Sequence, residues 1–167
     1  LYVFLSLYLD SLGYSKGQVG ALWAVSVVVE IAFFWSQGAW FARWTAHTWL
    51  LIAAVASVLR FAAMATLGGA WPLLVATQCL HAVTFAAHHG ACISLIDRYF
   101  ARPLRGRGQA LYSTLGYGLS GVAGGVGGGA ISQRWGFEAV FGAAAVMAAA
   151  GTACGWRSRR LALHAGR

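Results

Sequence analysis

Between short polar loops this sequence carries apolar runs of spanning length, and three successive runs each hold an ionisable residue deep inside: Glu30, Arg60 and His81. A bilayer core about 30 Å thick takes about 20 helical residues to cross. Backbone polar groups in lipid must be satisfied internally, so runs of this kind are restricted to helices. An ionisable group near the bilayer centre costs several kcal/mol even on insertion scales, roughly 3 kcal/mol. Such groups therefore face a bundle interior or a water-filled cavity. One on each of three helices predicts a polar path through the membrane.

Composition agrees. Of 167 residues, 59% are hydrophobic and only 10% charged, against about 25% charged in a soluble domain. The sequence predicts an all-α polytopic membrane bundle: a truncated span at 1–9, then spans at about 17–41, 46–67, 71–96, 109–131 and 137–156, followed by a basic tail at 158–167. Ser15 is the expected N-cap of the second helix. Gly68, Gly69 and Pro72 break the chain before the fourth, with Pro72 tolerated in a first turn. Pro103 and Gly106 are the expected breakers of an arginine loop, and Gln133–Gly136 an expected tight turn. The chain starts at Leu1 without a basic leader, which reads as a piece of a longer protein cut inside a helix, with no signal peptide.

The net charge of +8 does not form a nucleic-acid footprint, because the arginines sit beside span ends and not along one face. Arg43, the loop residues Arg98, Arg102, Arg105 and Arg107, and the tail residues Arg157, Arg159, Arg160 and Arg167 fall on one side, nine in all. Lys16 and Arg134 fall on the other. That asymmetry predicts a cytoplasmic C-terminus. Trp44, Trp49, Trp71, Trp135 and Trp156 lie near span ends, as interfacial anchors would. Cys79, Cys92 and Cys154 lie in apolar runs and make no disulfide framework.

Helical spacing puts Gln78, His81, Phe85, His88 and Cys92 on one face, and Trp23, Ser26, Glu30 and Gln37 on another. Tyr112, Tyr117 and Ser120 are expected to face the lumen from the glycine-rich span. Ser26, Ser120 and Gln37 read as polar bridges between helices. His81 and His88 are about 10.5 Å apart along an α-helix, too far to share one ion, and no ligand set accompanies them; no metal is expected. An imidazole, with its ordinary pKa of about 6.5, changes charge in the physiological range. Glu30 and His81 are the expected proton carriers. A Glu30–Arg60 structural ion pair is the competing reading. Asp97 with Arg98 reads as a helix-end pair. Gly121, Gly125 and Gly129, with Gly124 and Gly128 beside them, form small-xxx-small patterns suited to close helix approach.

The run Tyr8-Leu9-Asp10-Ser11-Leu12-Gly13-Tyr14-Ser15, then Val19-Gly20-Ala21-Leu22-Trp23 with Glu30 beyond, resembles the major facilitator superfamily. Leu80-His81 and Gln109-Ala110-Leu111-Tyr112-Ser113 add to the likeness, which is to the 3-phenylpropionate permease branch, akin to the lactose permease-type proton symporters. The resemblance implies helices seven to twelve of a twelve-helix transporter of the cell (inner) membrane, the first truncated, working with an N-terminal six-helix half. It implies proton coupling at Glu30 and His81, with the proton as coupling ion and no other cofactor. The implied solute is small and organic, best an aromatic carboxylate such as 3-phenylpropionate, with Arg60 as its counter-ion and Gln78, Trp23 and Tyr112 helping to bind it. One departure stands out: the symporters carry an acid three residues after the histidine, and this chain has Thr84. Sugar or nucleoside symport, a non-transporting scaffold or truncated product, and a membrane enzyme using His81, His88 and His89 are the alternatives.

Overall fold

The computed structural model of the chain describes residues 2–67 and 69–165. Leu1 of the first span, Gly68 of the expected break, and Gly166 and Arg167 of the expected tail lie outside the described residues. Every extended element among the described residues is helical: α1 (Tyr2–Ser11), α2 (Lys16–Phe41), α3 (Ala46–Leu67), α4 (Trp71–Tyr99), α5 (residues 105–135) and α6 (residues 137–165). Three of these, α2, α3 and α4, are each long and apolar enough to cross a membrane, as is the joined length of α5 and α6.

Ser15 caps α2 in a full capping box: its hydroxyl accepts from the Gln18 amide, and Gln18 answers the Ser15 amide. Pro72 occupies the first turn of α4, where its missing N–H is harmless. The arginine loop is shorter than expected. A 3₁₀ turn at Arg102–Leu104 feeds directly into α5, so Pro103 starts the helix and Gly106 lies inside it. The turn at Gln133–Gly136 shrinks to Gly136 alone, which leaves the helical region at φ 84°, ψ 176°, a conformation that only glycine adopts cheaply. Beyond residue 156, α6 continues through the basic segment to Ala165.

Leu5, Tyr8 and Leu9 of α1 pack with Val19, Leu22, Met64, Leu74 and Phe141, so four neighbours close over the short first helix. Tyr14 donates to the Gly69 carbonyl at 2.8 Å, tying two loops of one side together. Toward the other side Trp49 is buried and rings with Phe33, Phe41 and Trp44. Trp49 is thus a core residue and not an interfacial anchor, because α2 curls its aromatic end over it. The last helix, α6, lies along α3.

The glycine pattern acts at one position. A Cβ on Gly128 would fall 2.6 Å from the Phe4 ring, whereas Gly121, Gly124, Gly125 and Gly129 meet nothing within 4 Å among the described residues. Asp97 pairs with Arg105 at 2.6 Å and not with its neighbour Arg98, whose guanidinium lies over Tyr99. Adjacent residues on a helix diverge by about 100°, and Arg105 is brought back under the end of α4 by the short turn.

Candidate functional site

Three adjacent helices deliver Glu30, Arg60 and His81 to one place. Arg60 projects from α3, is only 7% exposed, and donates from Nη1 to His81 Nδ1 at 3.1 Å. The same nitrogen donates to the Thr84 hydroxyl at 3.3 Å, and Nη2 to Gln78 Oε1 at 3.4 Å. Gln78 Oε1 also accepts from Ser26 of α2 at 2.8 Å. Among the described residues the buried polar ones are Ser26, Arg60, Thr77, Gln78 and His81, a connected set. Partly exposed at its border stand Thr84 and Glu30, whose carboxylate is 3.8 Å from His81 Nε2 and 22% exposed.

The tautomer of His81 follows from its neighbours. A guanidinium has donors only, so Nδ1 facing Arg60 must present its lone pair. The ring proton of neutral His81 then sits on Nε2, directed at Glu30. At 3.8 Å this is beyond hydrogen-bond length but within ion-pair reach, and a small side-chain rotation closes it. The imidazole therefore stands between guanidinium and carboxylate. Thr84, which occupies the position of the symporters' acid, supplies an acceptor to Arg60 and bonds the His81 carbonyl.

Of the other expected residues, Gln78 belongs to this network. Trp23 is half-buried on α2, its indole N–H donating to Ser6 of α1 at 3.1 Å. Ser26 bridges helices as expected, while Ser120 is exposed and bonds the Gly116 carbonyl of its own helix. Tyr112 joins a second cluster, 3.0 Å from the Tyr117 hydroxyl and 3.4 Å from His89 Nδ1.

The second cluster corrects the face read from α spacing. Residues Ala82–Ala87 of α4 form a π turn. A π turn advances roughly 80° per residue against about 100° for an α turn. Six such residues turn the following segment by about a third of a revolution. His89 consequently replaces His88 in line with His81 and Phe85. The rings of His81 and Phe85 stack at 5.4 Å, and those of Phe85 and His89 at 6.2 Å with only 12° between planes. His88 instead lies against Cys92. A second π turn, Thr114–Leu119 in α5, carries Tyr117 to His89. No group of three or more His, Cys, Asp or Glu side chains among the described residues is arranged to hold a metal.

Comparison with known proteins adds an independent line. A profile described as the MFS_1 like family matches residues 1–143. A probable 3-phenylpropionic acid transporter of Escherichia coli (strain K12) is 35% identical over 119 residues, covering 71% of this chain and 31% of that protein. The chain thus spans about a third of the relative it matches. No solved structure matches it.

Proposed function

The chain belongs to the MFS_1 like family of the major facilitator superfamily, and from that premise we propose that it forms the C-terminal half of a proton-coupled symporter for a small aromatic carboxylate. The observation that carries this reading is His81 held between Arg60 and Glu30. Supporting the solute class is the name of the relative, a probable 3-phenylpropionic acid transporter.

In this mechanism Glu30 carries the coupling proton. Nε2 of His81, which faces Glu30, already bears the ring proton and so donates toward the carboxylate rather than accepting from it. Charging the imidazole therefore takes a second proton at Nδ1, arriving from the solute cavity, and a protonated Nδ1 confronts the Nη1 donor of Arg60. Two donors cannot share a hydrogen bond, so protonation of His81 dissolves its bond to Arg60. The guanidinium is then held by Gln78 and Thr84 and turns its charge toward the solute cavity. Proton arrival and anion attraction become one event, and the midplane site biases the rocking of the two halves. The partner in that motion is the N-terminal six-helix half, and the surrounding solvent is the cell membrane, with the arginine-rich ends and the C-terminus on the cytoplasmic side.

The test uses the full-length protein in proteoliposomes, with aromatic acids, sugars and nucleosides compared. Glu30→Gln removes the proton acceptor while keeping the side chain's size. We expect uptake driven by a proton gradient to fall by about two orders of magnitude or more. Counterflow exchange of preloaded solute persists. Gradient-driven uptake at the normal rate in Glu30→Gln refutes the role.

A further inference from the structure

The two π turns among the described residues lie on neighbouring helices and meet at one cluster. Phe85 and Tyr117 are each within a π turn, and their rings are 6.3 Å apart. His89 follows the first turn and Tyr112 precedes the second. π turns are rare and recur at functional sites. Here both re-phase their helices to bring the same three polar atoms together: Tyr117 Oη 3.1 Å from His89 Nδ1, and Tyr112 Oη 3.0 Å from Tyr117 Oη and 3.4 Å from His89 Nδ1.

Without a solute the triad closes on itself as a chain, one hydroxyl donating to the His89 lone pair and the other to its fellow hydroxyl. The two O–H donors thus lie side by side, where one shared acceptor could redirect both. A carboxylate brings two oxygens and about four lone-pair sites, enough for both hydroxyls at once. The cluster is also reachable: Tyr117 is 43% exposed, and His89 and Tyr112 are half-buried. Phe85, whose ring is stacked with those of both His81 and His89, adds apolar surface beside it for the rest of a ring-bearing solute. Arg60, by contrast, is buried and already engaged by His81, Thr84 and Gln78.

We propose that Tyr112, Tyr117 and His89 form a carboxylate-binding subsite, with Phe85 as the apolar floor for an attached ring. This rests on the reading of the chain as part of an aromatic-carboxylate symporter and gives the head group of that solute a docking place while Arg60 is still bonded to His81. A charge-assisted hydrogen bond is stronger than a neutral one, so the hydroxyls discriminate an ionised carboxylate from an alcohol of the same shape.

The experiment measures equilibrium binding of 3-phenylpropionate and of its neutral alcohol, 3-phenylpropan-1-ol, to the full-length protein in nanodiscs. Wild type is expected to favour the carboxylate by at least about tenfold. Tyr112→Phe and Tyr117→Phe each remove one hydroxyl and should each weaken carboxylate binding about tenfold. Alcohol binding stays within about twofold, so the preference collapses in the double variant. Tyr117 is exposed, so Tyr117→Phe tests the subsite even if the double variant does not fold. His89→Gln, which keeps an acceptor, should be milder than His89→Leu. An unchanged carboxylate-to-alcohol ratio in both single variants overturns the subsite. If that occurs while Glu30→Gln still abolishes proton-driven uptake, the symporter reading survives and the subsite alone is lost. A wild-type protein that binds no aromatic carboxylate overturns both.

Discussion

The junction of α2, α3 and α4 and the long face of α5 solve opposite problems. At the junction the fully covered side chains are largely polar: Ser26, Arg60, Thr77, Gln78 and His81 are buried and hydrogen-bonded to one another or to nearby carbonyls. Along α5 the apolar side chains Leu111, Leu115, Leu119, Val122 and Val126 are exposed, and most of the glycines beside them touch nothing among the described residues. In water that arrangement would be inside out. In lipid, apolar surface has no reason to hide, and association depends on packing and interhelical hydrogen bonds. The chain spends its specific interactions where polar groups must be held away from hydrocarbon, and leaves α5 a smooth small-residue surface.

Breaking the polar junction should have the largest effect. Arg60→Met keeps length and apolar bulk but removes the donor that His81, Thr84 and Gln78 share. An unsatisfied buried polar group costs about 1–3 kcal/mol, so the loss of their common donor should destabilise the full-length protein by about 3 kcal/mol or more. A thermal or denaturant melt in detergent, with ligand-free protein, reads this directly. An unchanged melt would mean that Arg60 is held by nothing that matters, and the contrast with α5 would disappear.

Next comes the tightest glycine contact of α5. Gly128→Ala puts a methyl 2.6 Å from the Phe4 ring, and the Phe4 side chain is itself buried. Overpacking typically costs about 1–3 kcal/mol, partly offset by alanine's better helix propensity, about 1 kcal/mol. The expected outcome is a net loss of about 1 kcal/mol, recovered when Phe4→Leu is added in the same chain. Recovery by the second change would show that α1 and α5 meet at this contact.

Much of this contrast can be read from the residues themselves. The apolar runs give the helices, because no other element satisfies its backbone in lipid. Glu30, Arg60 and His81 announce a shared interior because each alone is too costly to expose. Ser15 with Gln18 marks the start of α2 by the chemistry of the cap alone. What escapes the sequence depends on backbone phase. Neither Ala82–Ala87 nor Thr114–Leu119 carries a residue that demands a π turn, so an α period keeps His88 on the working face and sends His89 away. Tertiary contact with Tyr112 and Tyr117 decides otherwise. Thr84 escapes for a different reason: as a threonine it reads as an ordinary helix residue until Arg60 is seen beside it. The reach of Arg105 back to Asp97 is hidden because it depends on how short the turn at Phe100 and Ala101 turns out to be.

The smallest effect is also the most discriminating. Gly125 has nothing within 4 Å of the place a Cβ would occupy, and glycine inside a helix is about 1 kcal/mol worse than alanine. Gly125→Ala should therefore leave this chain unharmed or stabilise it by up to about 1 kcal/mol. Measured in the full-length protein, the same substitution asks what the smooth face of α5 is for. If the face meets only lipid, the melting temperature rises or holds and uptake is unaffected. If a helix from the N-terminal half slides against it during transport, an added methyl obstructs that approach, and the uptake rate falls while the melt of the resting protein stays level. A lowered melt with normal uptake would instead show a static contact, and the two regions would then differ only in the kind of neighbour they hold.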